Sequence, residues 1–162
     1  MTFDHIDHKL IALLQENARM SFAELGRSVG LSTPSTIERV RRLEDAGVIT
    51  GYRAHISPAA LGLTMSAIIR VTVAGERLTR FAQQVQKVHE VQECHRITGE
   101  ESYLVRVVVR DTQHLEEVID LLMPYVATTT SLILASPVEW RALSVFASRT
   151  ARPPRTKRTP AR

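Results

Sequence analysis

Arg39 and Arg42 stand about one helical turn apart, just after a run of hydroxyl residues, Ser32, Thr33, Ser35 and Thr36, with Glu38 between. A guanidinium can fork onto the two acceptors that guanine shows in the major groove. Hydroxyls and N–H groups at a helix start can take phosphate oxygens. Ser32, Thr33, Ser35, Thr36, Glu38, Arg39 and Arg42 are therefore the predicted DNA-contacting set. A plainer reading of the same residues is a solvated helix face on which Glu38 and Arg42 form an i,i+4 ion pair.

Other chemistry finds little support. Cys94 and His95, with His89 nearby, offer too few ligands for zinc and would point to opposite faces of a strand. His114 and Glu116 do not share a helix face. There is no G-x-S-x-G elbow, phosphate-cradling glycine loop or dinucleotide fingerprint. The sequence predicts neither an enzyme nor a bound cofactor or metal.

What favours DNA is the chain in front of the arginines. Ser21 followed by Glu24 has the spacing of a capping box, which starts a short helix near Phe22. Gly30 supplies a left-handed residue for its end, and the chain turns. A second helix then begins at Thr33 and Pro34, because the residue before proline is pushed out of the helical region while proline suits the first helical position. Thr33 is the expected cap, with Ser32 the alternative. On this helix Ile37, Val40 and Leu43 share one arc, and Ser35, Glu38, Arg39 and Arg42 the opposite one. Asp4 to Asn17 forms a supporting helix with Ile6, Leu10, Leu13 and Leu14 on one stripe, and Asp4 and Asp7 complement its dipole. Helix, tight turn and outward basic helix make a helix-turn-helix.

The run LSTPSTIERVRRLEDAGVITGYRA resembles the Lrp/AsnC family of bacterial and archaeal transcriptional regulators. Ser32, Arg39, Val40, Arg41, Arg42, Leu43, Glu44, Gly47, Val48, Ile49, Gly51 and Tyr52 occupy that family's pattern. The resemblance implies a winged helix-turn-helix that reads double-stranded DNA. It also implies that the strand expected over 48–56 tethers this part to a second one and pairs with its counterpart in a partner subunit.

The second half is a doubled unit. Ile69–Val73 recurs as Val105–Val109, 36 residues on. Each copy precedes an amphipathic helix, with stripes Leu78, Phe81, Val85, Val88 and Leu115, Val118, Ile119, Leu122. Each helix precedes another apolar run, 91–98 and 129–135. This is the order of a ferredoxin-like βαββαβ domain, with both helices on one face of an antiparallel sheet. Apolar residues also occur on the free face, so a homodimer through that face is expected. The resemblance makes this half an effector-binding and oligomerisation domain, in which small molecules, commonly amino acids, sit between subunits near the hairpin joining the copies. By position, Gly99, Glu100, Glu101 and Ser102 of that hairpin, with Thr129 and Ser131 of the last strand, carry over as effector contacts. The family often has aspartate where this chain has Ser102, and the plainer reading of this TGEES run is a solvated hairpin. Tetramers or octamers are implied as well.

The predicted class is thus α+β, with a helix-turn-helix domain over 1–52, a linker strand and connection over 53–62, a ferredoxin-like domain over 63–147 and a disordered basic tail over 148–162. The function expected is an effector-modulated DNA-binding regulator; the alternative is a small-molecule-binding module without DNA. Net charge is +4, but six basic residues lie in the last fourteen; without them 15 basic residues face 17 acidic, a net of −2. Attraction to nucleic acid must therefore be local to the arginine-bearing helix and the tail. That tail either lies along phosphates or solubilises the chain. A single cysteine, no membrane-length apolar run and no signal-peptide pattern lead to the expectation of a cytoplasmic protein.

Overall fold

The computed structural model describes residues 3–73, 75, 77–122 and 127–143, so the tail expected over 148–162 lies outside the described residues. The described residues fall into two compact units, one ending at Ala54 and regaining the chain from Val138, the other covering His55–Pro137. The division at Ala54 and His55 falls within the expected connection. The return of 138–143 to the first unit was not foreseen in the sequence; there the Gln15 amide nitrogen donates to the Leu143 carbonyl (3.1 Å) and its oxygen accepts from the Leu143 N–H (2.8 Å).

The first unit holds α1 (His5–Glu16), α2 (Phe22–Val29) and α3 (Thr33–Asp45). Asp4 caps α1 and Ser21 caps α2, each in a reciprocal capping box with the residue three ahead. Ser32, not Thr33, caps α3, and Thr33 and Pro34 open its first turn. The end of α3 is closed by Gly47 at φ +68, whose N–H bonds the Glu44 carbonyl while the Val48 N–H bonds that of Leu43. This doubled closure needs a left-handed residue, which glycine supplies without strain. Leu10, Leu25, Val40 and Leu43 form the buried centre. Each such side chain contributes about 1.5–3 kcal/mol by leaving water.

Two expectations fail here. Ile37 is 41% exposed, and the buried stripe of α3 is Thr36, Val40 and Leu43. The cause is the close crossing of α2 and α3. A Cβ on Gly26 would stand 2.7 Å from the Leu31 carbonyl oxygen and 2.9 Å from the Thr36 hydroxyl. Only a small side chain fits on α3 opposite that glycine, and Thr36 satisfies its own hydroxyl by donating to the Ser32 carbonyl at 2.9 Å. The second failure is the strand expected over 48–56, which has no assigned strand. A strand is defined by its ladder, and among the described residues no strand pairs with this segment.

The second unit is a four-stranded antiparallel sheet, ordered β2-β3-β1-β4. Its strands are β1 (Met65–Thr72), β2 (Val91–Arg96), β3 (Tyr103–Val109) and β4 (Ala127–Leu132), with α4 (Arg77–Val85) and α5 (Thr112–Leu122) in the crossovers. A one-turn 3-10 helix, Ala59–Leu61, precedes β1. Alternate residues Ala67, Ile69, Val71 and Tyr103, Val105, Val107, Val109 pack with Phe81, Val85, Leu115, Val118 and Leu122. The Phe81 and Tyr103 rings lie 4.9 Å apart. Both helices thus cover one face, the ferredoxin-like arrangement. The last strand starts and ends earlier than expected. Among the described residues no helix is long and apolar enough to cross a membrane.

Gly26→Ala is expected to destabilise the first unit by about 1–3 kcal/mol, the usual cost of forcing extra volume into a tight contact. Urea unfolding checks this, and unchanged stability would mean that the crossing is looser than described.

Candidate nucleic-acid interface

The polar surface of α3 is built around a carboxylate on another helix. Asp7 belongs to α1, and its side chain is 1% exposed. Its Oδ1 accepts from Arg39 Nη1 (2.9 Å) and Arg42 Nη2 (2.9 Å), and its Oδ2 accepts from Arg42 Nη2 (2.7 Å). The Asp4 N–H completes the shell at 3.1 Å. Arg39 Nη1 also donates to Asp4 Oδ2 at 2.7 Å. These are charge-assisted distances, and a buried carboxylate is tolerable only when its oxygens are met in this way.

Arg39 therefore does not face outward as its place on the helix suggested. It lies on the flank of α3 beside α1, its side chain 25% exposed, and both carboxylates raise its pKa, the Asp4 hydrogen bond foremost. Arg42, at 45% exposure, likewise turns to Asp7 instead of pairing with Glu38. Thr36 is fully buried and cannot reach a ligand. Ser32, Thr33, Ser35 and Glu38 are exposed, with the Ser32 and Ser35 hydroxyls 2.9 Å apart.

The outer surface carries a shallow depression lined by Leu31, Ser35, Glu38, Arg41, Arg42, Asp45 and Ala46, with the paired Arg39 at its edge on the α1 side. Arg41, absent from the predicted set, is exposed there, and among the described residues its side chain has no hydrogen bond or ion pair. Recentring the helical wheel on Thr36 instead of Ile37 would have found it. At the other end of α3 the Tyr52 hydroxyl donates to Glu44 Oε1 at 2.8 Å. Partial burial and then the Glu44 carboxylate push that phenol up to about 12, which anchors the departing chain.

The residues expected to hold an effector divide similarly. Gly99 and Glu100 are exposed at the β2–β3 turn. Glu101 Oε1 lies 3.7 Å from Arg70 Nε, and Arg70 Nη2 donates to the Ser131 hydroxyl at 3.3 Å. Thr129 is Arg70's register partner on β4. The sheet thus gathers Glu101, Thr129 and Ser131 around an arginine that the sequence reading missed. Ser102 is separate, because its hydroxyl donates to the Val73 carbonyl (2.9 Å) and accepts from the Val73 N–H (3.1 Å). It braces the end of β1, and its single donor is already used there. An aspartate, acceptor only when ionised, could not make both bonds.

Comparison with known proteins agrees with both units. Residues 3–44 match the AsnC-type helix-turn-helix domain and residues 66–143 the Lrp/AsnC ligand binding domain. The chain is 35% identical over 135 residues to the HTH-type transcriptional regulator LrpC of Bacillus subtilis, covering 83% of this chain and 94% of that one. The solved structure of LrpC superposes with a TM-score of 0.82 over 86% of this chain and all of that one, at 34% identity. A Neisseria meningitidis transcriptional regulator, solved as a complex with L-Met, superposes with a TM-score of 0.83 at 34% identity, covering 88% of this chain and 96% of that one.

The Asp4 carboxyl is held down from 3.8 to about 2, chiefly by the Asp7 N–H and then by Arg39. A depressed carboxylate stabilises the fold above its unfolded value, and that contribution disappears as pH falls through the folded one. Melting temperature should therefore drop more steeply between about pH 4 and 2 in the natural protein than in Asp4→Asn. Parallel curves would mean that the Asp4 contacts are not made in solution.

Proposed function

The chain belongs to the Lrp/AsnC family, and on that premise we propose that it is a transcriptional regulator that binds double-stranded DNA through α3 and responds to a small effector held by its second unit. The observation that carries this reading is the division of labour on α3. Asp7 and Asp4 hold Arg39 and fix the helix against α1, and the adjoining surface, with Ser35, Glu38 and Arg41, is left free to enter a major groove. Ser32 and Thr33 at the helix start suit phosphate oxygens. Arg42, half-exposed while paired, suits phosphate better than a base edge. Arg39 acts as a positioning residue and Thr36 as a packing residue.

The relative solved with L-Met supports an amino-acid effector here too. Its contacts are Glu101, Thr129 and Ser131, with Gly99 and Glu100 at the rim. The relatives' names are those of regulators and not of enzymes. A cytoplasmic location follows from acting on DNA.

The active species is at least a homodimer. The uncovered sheet face carries Ile68 and Leu104 among its charges, and segment 48–56 makes no ladder with any strand among the described residues. A second copy can satisfy both needs. Tetramers or octamers follow if dimers associate further. Analytical ultracentrifugation is expected to find no significant monomer at micromolar concentration; a monomer would remove the dimeric reading.

DNA binding is tested by fluorescence anisotropy on the gene's own upstream region and on random duplex. Arg41→Ala is expected to weaken binding to the preferred fragment by about 1–3 kcal/mol and to random DNA by less. Equal losses would make Arg41 a phosphate contact, and no binding by the natural protein even at low salt would end the reading.

A further inference from the structure

The helix-turn-helix unit lacks the charge that gripping DNA requires. Over 1–54 seven Lys and Arg stand against seven Asp and Glu, a net of zero, and Glu139 with Arg141 leaves that balance unchanged. On α3 itself Arg39 and Arg42 are neutralised by Asp4 and Asp7, and Arg41 shares its depression with Glu38 and Asp45. Affinity for duplex DNA comes in large part from cations that replace the counterions of its phosphates. The second unit has none to lend, with seven basic and nine acidic residues over 55–137. The surplus lies in Arg149, Arg152, Arg155, Lys157, Arg158 and Arg162, with no acid among them and all past residue 143, where the match to the family ends.

The structure fixes where that stretch departs. Leu143 is clasped through both backbone groups by the Gln15 amide, in the last turn of α1. Gln15 stands eight residues from Asp7, about 12 Å along the helix axis, and Asp7 is where α1 meets Arg39 and Arg42 of α3. Arg149 follows Leu143 by six residues, a span of about 20 Å when extended, so the first tail cation reaches the flank of α3 and the other five reach beyond it. We infer that residues 149–162 are a second DNA contact, a basic arm rooted on the helix-turn-helix unit by the Gln15–Leu143 clasp and laid along the phosphates beside the groove that α3 enters. This rests on the DNA-binding reading given above and adds to it a surface outside the family match. The acids near the clasp are a poorer partner. Glu16 and Glu24 line a depression with Arg27, and the Glu24 carboxylate already accepts from the Ser21 N–H (2.8 Å) and hydroxyl (2.7 Å). Six cations match a row of phosphates, which α3 leaves largely uncompensated.

Three full-length proteins are compared by fluorescence anisotropy over a range of salt, on the gene's own upstream region and on random duplex. They are the natural chain, a chain with all six tail cations replaced by Gln, and Gln15→Ala, which frees the root without changing charge. The six-Gln protein is expected to bind both duplexes about tenfold or more weakly at about 0.1 M salt, with the slope of log K against log[salt] shallower by about 2 or more, since each neutralised phosphate contributes about 0.9. Its preference for the upstream region should stay within about twofold of the natural value, because phosphate contacts carry no sequence information. Gln15→Ala should fall between the two. Melting temperatures without DNA check that each protein is folded, and if Gln15→Ala is not, the six-Gln protein still decides. An unchanged salt slope overturns the arm while leaving DNA reading by α3 in place. Tighter binding by the six-Gln protein overturns it too, since the tail would then screen α3. Natural affinity and slope in Gln15→Ala overturn the part given to the clasp. Failure of the natural protein to bind any duplex at low salt overturns both this inference and the reading it rests on.

Discussion

A carboxylate almost without solvent, Asp7, sits between α1 and α3, and the arrangement of the first unit depends on how it is satisfied. An isolated buried anion would cost several kcal/mol, enough to remove most of the stability of a small domain. Here two guanidiniums and a backbone N–H surround it. The same contacts set the rotation of α3 about its own axis, since Arg39 and Arg42 both have to reach α1. With that rotation fixed, Thr36, Val40 and Leu43 face the core and Ser35, Glu38 and Arg41 face solvent. A DNA-reading helix needs its side chains ordered before DNA arrives, because any freedom lost on binding is subtracted from affinity.

Much of this was legible in the sequence, and what was missed has identifiable causes. Local signals were reliable. Ser21 with Glu24, Pro34 and Gly30 place α2 and α3 to within a residue, since capping and backbone preference act over one turn. The doubled strand and helix pattern gave the ferredoxin-like unit, because its core residues alternate without interruption on β1 and β3. The errors concern partners distant in the chain. Helical period says where a Cβ leaves the helix, not where the end of an arginine side chain comes to rest, and Arg39 rests on a residue 32 positions away. The buried place of Thr36 was hidden because threonine looks like a surface residue until Gly26 is set against it. Segment 48–56 reads as a strand because its composition suits one, yet a ladder requires a second strand, and none among the described residues lies beside it.

The two units use charge in opposite ways. In the first, close and buried pairs lock one geometry. In the second, Arg70 and Glu101 are far enough apart, and exposed enough, to be exchanged for other partners. Ser102 belongs to the locking kind: by bonding both backbone groups of Val73 it fixes the end of β1 beside the turn that carries Glu101. A rigid brace next to a loosely held ion pair is a reasonable basis for a site that must keep its shape while changing its contacts.

The central claim is that Asp7 and Arg39 are energetically coupled and together set the reading helix. A double-mutant cycle with Asp7→Asn, Arg39→Met and the pair, followed by urea unfolding, tests it most directly. The expected coupling is above about 1 kcal/mol, the range found for contacting residues in one polar network. Simple additivity of the two substitutions would contradict it, and α3 would then owe its orientation to apolar packing alone.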